Sequence, residues 1–171
     1  GTGGVDHFLQ LLGNCCRDSE EDVRRAALGL VGDLCDEAPL VLQTNAAAIA
    51  RVVIESITLT DPSFRTCCSN AAWALSNITE KFGEAALGDY FDRALEQLAY
   101  VLSNPIVRHP SSSGGSSDSL LVNVSVAIGC IAIANPARVA ARVDVVEVFA
   151  EPWLSAVEWI EGGEERDRAF K

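Results

Sequence analysis

The stretch CCSNAAWALSNITEKFG, residues 67–83, decides how the rest of the chain is read. If it is a helix, each residue turns by about 100°, so side chains three, four and seven apart share a face. Phe64, Cys68, Ala71, Leu75, Ile78 and Phe82 then form one apolar stripe. Thr66, Asn70, Trp73 and Asn77 fall roughly opposite. Trp73 therefore stands on the face away from the core, among asparagines, where a large aromatic residue needs a reason. It either packs against a neighbouring helix, as large aromatics usually do, or is offered to a ligand.

Helical periodicity recurs along the chain with turn signals between segments, and no convincing strand pattern appears. The segments come in pairs, at about 5–17 and 21–37, 39–59 and 62–82, and 84–103 and 118–134, with a fourth beginning at about 136–160 and running into EERDRAFK. The second helices superimpose without gaps when VRRAALGLVGDL is laid on CCSNAAWALSNI and LLVNVSVAIGCI. Ala27, Ala71 and Val124 then coincide, as do Val31, Leu75 and Ile128, and Leu34, Ile78 and Ile131. These are the expected inward positions. Helix pairs of this kind cannot each bury their own apolar face and must stack. The expected fold is an all-α solenoid of HEAT type, about three and a half antiparallel pairs, with residues 1–171 forming a single segment of a larger solenoid. The Ser/Gly-rich stretch RHPSSSGGSSDS, 108–119, lacks the apolar burial to offset chain entropy and is expected to be a flexible loop within the third pair.

Charge narrows the partners. With 24 acidic residues against 13 basic, the formal charge is −11, which disfavours nucleic acid and anionic membrane and favours basic partners. No apolar run approaches the roughly 20 residues that span a bilayer, and no signal peptide opens the chain, so a soluble intracellular protein is expected. The six cysteines have neither disulfide-framework nor metal-knuckle spacing and read as buried free thiols. Asn77 and Asn123 each begin a sequon, but inside helices of an intracellular chain neither is expected to be glycosylated. His7 and His109 are the only histidines, no nucleophile elbow or phosphate-binding glycine motif is present, and neither catalysis, a metal nor a cofactor is expected. Trp153 and Trp159 share a helix with Val146, Phe149 and Val157, where packing is the natural role. The opening GTGG, the absence of methionine and the ending RDRAFK read as an excised piece of a longer protein.

In the repeat register Thr66, Asn70, Trp73 and Asn77 correspond to Asp22, Ala26, Gly29 and Asp33 on one side and to Ser119, Asn123, Val126 and Cys130 on the other. Side by side, these rows are expected to form one surface. Asp33, Asp36 and Glu37 would attract Lys or Arg, while Trp73 with Val126 would pack an apolar anchor of the same extended peptide. Asn70, Asn77 and Asn123 complete the candidate binding set.

The segments DVRRAALGLVGDL, SNAAWALSNITEKFG, LLVNVSVAIG and PWLSAVEWIEGGEERDRAF together resemble the transportin, or karyopherin-beta-2, branch of the importin-beta superfamily. The tryptophan helix followed by PW…EERDRAF is the most specific part. The resemblance implies a nuclear import receptor of HEAT repeats found in cytoplasm and nucleus, this chain corresponding to part of its C-terminal half. It also implies that the concave face of second helices captures the basic and apolar part of an extended nuclear localisation signal of Pro-Tyr type. Carried over by position, the family's cargo-contacting tryptophan matches Trp73, its apolar companion matches Val126, and its acidic residue matches Asp33. The small GTPase Ran and nucleoporins are implied as partners of the full-length receptor, with the Pro-Tyr subsite and most of the Ran surface in other repeats. The loop at 108–119 is longer than the family's short link. The alternative is a HEAT scaffold or adaptor for protein complexes, in which Trp73 is structural.

Overall fold

The computed structural model describes residues 3–59, 64–108, 119–158, 160 and 163–170. Among these residues the secondary structure is entirely helical. Helices α1 (Gly3–Cys15) and α2 (Glu21–Glu37) form the first pair. The second combines α3 (Pro39–Leu42) and α4 (Ala46–Glu55) with α5 (Arg65–Phe82). The third combines α6 (Glu84–Leu87), α7 (Phe91–Ser103) and the short α8 (Pro105–Arg108) with α9 (Ser119–Ala134). Then follow α10 (Pro136–Ala141), α11 (Val143–Glu158) and α12 (Gly163–Phe170). The loop expected at 108–119 falls on residues 109–118, outside the described residues, as do His109 and Trp159.

Local chemistry sets the helix ends. Glu21 and Asp22 lie in the first turn of α2, where the helix dipole favours them. Gly83 ends α5 with φ 67°, a conformation that costs glycine little, and its N–H bonds to the Thr79 carbonyl. Asn135 caps α10, its side chain accepting from the Arg138 N–H at 2.9 Å, with Pro136 in the first turn. The segments expected as single helices at 39–59, 84–103 and 136–160 are each broken near their start. Gly88 sits at φ 49°, Asn45 at φ −120°, ψ 12° and Arg142 at φ −95°, ψ 59°, all outside helical geometry.

Helix α5 is the centre of the stack, packed between α2 and α9 and over α4. Its alanines at 71, 72 and 74 are fully buried, small side chains that let neighbouring helices approach. The expected inward positions are confirmed: Ala27, Val31, Ala71, Leu75, Ile78, Val124, Ile128 and Ile131 are all buried, and Leu34 is half-buried against the same core. Helix α9, apolar almost all round, is enclosed by α5, α7, α11 and α12, the environment such a helix requires. Between pairs, Arg138 on α10 bonds Asp92 at 2.8 Å and Glu84 at 3.4 Å with its guanidinium 4.5 Å from the Phe91 ring, and Arg142 bonds Glu96 at 2.7 Å. Arg17 after α1 similarly meets Glu55 of α4 at 2.7 Å. Among the described residues no helix is long and apolar enough to cross a membrane.

Two outcomes test this packing. Leu75→Ala should lower the unfolding free energy in urea by about 2–5 kcal/mol, and Leu34→Ala, half-buried in the register of Ile78, by distinctly less. The Arg138 hydrogen bond holds the Asp92 carboxyl below its usual value. Its contribution is therefore complete above about pH 4 and disappears as pH falls through the lowered native value. Asp92→Asn should flatten that part of the acid-stability profile.

Candidate functional site: the face of the second helices

The three asparagines of the candidate set make one repeated contact. The Asn70 side-chain amide donates to the Arg25 carbonyl at 3.0 Å. The Asn123 amide donates to the Ser69 carbonyl at 3.3 Å and to Ser69 Oγ at 3.0 Å. The Asn77 amide donates to the Gly32 carbonyl at 3.4 Å and to an Asp36 carboxylate oxygen at 3.0 Å. In register terms each reaches the carbonyl just before its own counterpart on the preceding helix: Ala26 for Asn70, Asp33 for Asn77 and Asn70 for Asn123. A carbonyl has two lone pairs, so it can hold its intrahelical bond and accept this one as well. The ladder therefore fixes the axial offset of α2, α5 and α9.

Trp73 is half-buried and its six-membered ring lies on Gly32. A methyl group at Gly32 would run into that ring. In the register, Gly32 aligns with Ser76 and Gly129, and Gly129 is covered as closely by the backbone of Ala169. A row of small residues thus receives the helix that follows. Both readings of Trp73 have structural content: it packs on α2, and part of the indole still faces outward.

The remaining candidates divide. Asp33, Asp36 and Glu37 are exposed, as a cation-attracting row requires. Asn70 and Asn123 are half-buried. Asn77 is 1% exposed and Val126 2% exposed, so neither lies on an open surface. Val126 sits in a small cluster with Cys130, Val157, Ile160 and Ala169, where α12 covers α9. The expected continuous row is open around Asp33 and Trp73 and closed at its α9 end.

Four residues not singled out from the sequence belong here: Arg168, Ser76, Glu80 and Phe170. Arg168 of α12 donates through Nη2 to Ser76 Oγ at 3.1 Å, to Asn77 Oδ1 at 2.6 Å and to Glu80 Oε2 at 2.8 Å, and through Nε to Glu80 Oε1 at 3.1 Å. Beside it, Phe170 meets Trp153 edge to face, with ring centroids 5.3 Å apart. The signal for Glu80 was available: it lies one turn beyond Asn77 on the Trp73 face.

All six cysteines are free. Burial pushes the thiols of Cys35, Cys68 and Cys130 up to about 12 and that of Cys16 up to about 11, so at neutral pH they are protonated packing groups rather than nucleophiles. No group of three or more His, Cys, Asp or Glu placed to hold a metal occurs among the described residues.

Gly32→Ala should cost about 1–3 kcal/mol in urea unfolding, because the indole must leave its seat. Adding Trp73→Ala should recover part of that loss, and additive losses would contradict the contact.

The HEAT repeat family model matches residues 8–38, which are most of α1 and all of α2. Transportin-1 of mouse and of human are each 27% identical to this chain over 165 residues, 96% of it and 17% of the relative. Importin subunit beta-2 of Schizosaccharomyces pombe is 26% identical over 163 residues, 95% of this chain and 16% of the relative. The chain thus spans about a sixth of the length of these relatives. Stacked HEAT-type helix pairs and similarity along nearly the whole chain bear out the resemblance carried by its sequence, to the transportin branch of the importin-beta family.

Proposed function

We propose that this chain is a module of a nuclear import receptor, binding the basic and apolar part of an extended nuclear localisation signal on the face of its second helices. The observation that carries the proposal is a half-buried Trp73 seated on Gly32, one residue before the exposed Asp33 in the same helix. An indole supplies a rigid apolar platform, and the carboxylates of Asp33, Asp36 and Glu37 supply attraction for Lys or Arg in the same peptide. The proposed direct contacts are Trp73 and Asp33. Asn70, Asn77 and Asn123 hold the platform through the ladder, and Val126, buried in its cluster on α9, is not a direct contact.

The names of the relatives, transportin and importin beta-2, support an import role over that of an unrelated scaffold. Movement between cytoplasm and nucleus, Ran and nucleoporin binding belong to the same proposal and concern the longer receptor. A net charge of −11 supports basic peptides, and not nucleic acid or anionic membrane, as the partner class.

Asp33→Lys is the cleanest test, because an exposed substitution should change stability by no more than about 0.5 kcal/mol. Anisotropy titration with a labelled basic and apolar peptide should show weaker binding, with the deficit larger at low salt than at high salt. Trp73→Ala should weaken the same peptide by about ten-fold. Unchanged affinity in both variants, with a large stability loss in Trp73→Ala, would favour the scaffold reading.

A further inference from the structure

Asn77 and Glu80 share the Trp73 face of α5, one and two turns beyond it. With Ser76 they make a complete site for a guanidinium, and the structure holds one there. Arg168 of α12 meets Glu80 through Nε at 3.1 Å and Nη2 at 2.8 Å, and donates to Asn77 Oδ1 at 2.6 Å and Ser76 Oγ at 3.1 Å. Ser76 and Asn77 are each 1% exposed. The Asn77 amide can take only one orientation, because Gly32 on one side offers an acceptor and Arg168 on the other offers only donors. Paired bonds to one carboxylate match the planar fork of arginine.

Arg168 is a permanent occupant. Its neighbour Ala169 closes over Gly129 and lies in one buried cluster with Val126 and Cys130 of α9, and Phe170 meets Trp153 edge to face. None of these contacts uses the Arg168 side chain, so α12 keeps its seat when that side chain is shortened. The consequence of the occupancy is electrostatic. Toward the C-terminal ends of α2 and α5 stand four carboxylates, Asp33, Asp36 and Glu37 on the first and Glu80 on the second. Arg168 neutralises Glu80, and Lys81 comes within 4.0 Å of Asp36. Among the described residues this leaves Asp33 and Glu37, both on α2, as the members of that set with no cation beside them.

We propose that Arg168 is a specificity-determining residue of the peptide face. By filling the site of Ser76, Asn77 and Glu80 it restricts a bound peptide to one cation contact, at Asp33 and Glu37 on α2, and rejects a second basic residue over α5. The proposal rests on the peptide-binding reading and adds its selectivity. Neighbouring helix axes lie about 8–10 Å apart and an extended chain advances about 3.3 Å per residue, so the rejected residue is about the third along the peptide from the one at Asp33.

The test uses the whole chain and three labelled peptides with one apolar anchor. The first carries a single arginine, the second a further arginine three residues away, and the third that further arginine at its far terminus as a control for net charge. Anisotropy titrations compare wild type, Arg168→Ala, Arg168→Lys and the double variant Arg168→Ala with Glu80→Gln. Wild type should bind the first and second peptides within about two-fold of each other, since the second arginine finds its acceptors taken. Arg168→Ala should bind the second peptide about ten-fold more tightly than wild type does, with a smaller gain for the other two. Arg168→Lys, which leaves the site filled, should stay near wild type, and the double variant should lose the gain. In parallel, the Asn77 side-chain amide is followed by 15N NMR as N-acetyl-arginine methylamide is added, and its signal should move in Arg168→Ala and not in wild type. A wild type that prefers the second peptide by about ten-fold, a comparison that needs no variant, would overturn the proposal. So would an equal gain for all three peptides in Arg168→Ala, or an Asn77 signal there that ignores the arginine amide. If that signal moves while no peptide binds any form, the guanidinium site stands and the peptide-binding reading falls.

Discussion

The structure depends on one offset, held by asparagine amides of α5 and α9 bonded to carbonyls of the second helix before each. Asn70 to Arg25, Asn77 to Gly32 and Asn123 to Ser69 are the same contact made three times. Apolar packing brings these helices together without a strongly preferred axial position, because a stripe of Ala, Val, Leu and Ile resists sliding only through shape. A directional bond to a single carbonyl removes that freedom. Once the offset is fixed, Trp73 must land on Gly32, and the small-residue row at Gly32, Ser76 and Gly129 becomes a requirement rather than a tolerance.

The ladder also determines which polar atoms remain for a ligand. Asn77 gives its amide to Gly32 and Asp36, and its buried carbonyl oxygen is left to accept from elsewhere. With the amide spent on the ladder, Oδ1 accepts from Arg168, whose guanidinium also meets the Glu80 carboxylate.

The fold was legible because it is periodic. Spacing of apolar residues placed the second helices and their inward positions, and the structure buries nearly all of them. The interruptions in the first helices were less visible, since a non-helical residue such as Asn45 or Arg142 leaves the apolar pattern on either side intact. At the site, periodicity distinguished the two faces of α5 but could not say what covers the outer one. Asn77 meets α2, and Val126 is buried against Val157 of α11, Ile160 and Ala169 of α12, and such contacts carry no spacing signal. One clue was nevertheless present in α9. A helix as apolar on its Val126 and Cys130 side as on its core side is a helix enclosed on both, and the closed end of the face follows from that composition.

Trp73 can both pack and, on the peptide-binding proposal, bind, because the part of its ring that rests on Gly32 is not the part that remains exposed. The edge that rests on Gly32 fixes the indole, which removes most of the rotamer entropy a free surface tryptophan would lose on capturing a ligand. The part left exposed is then a preorganised platform rather than an adaptable one. On the peptide-binding proposal, an aromatic residue packed on a glycine of the neighbouring helix would be better suited to binding than one standing free, because the contact that stabilises the stack also holds the indole still.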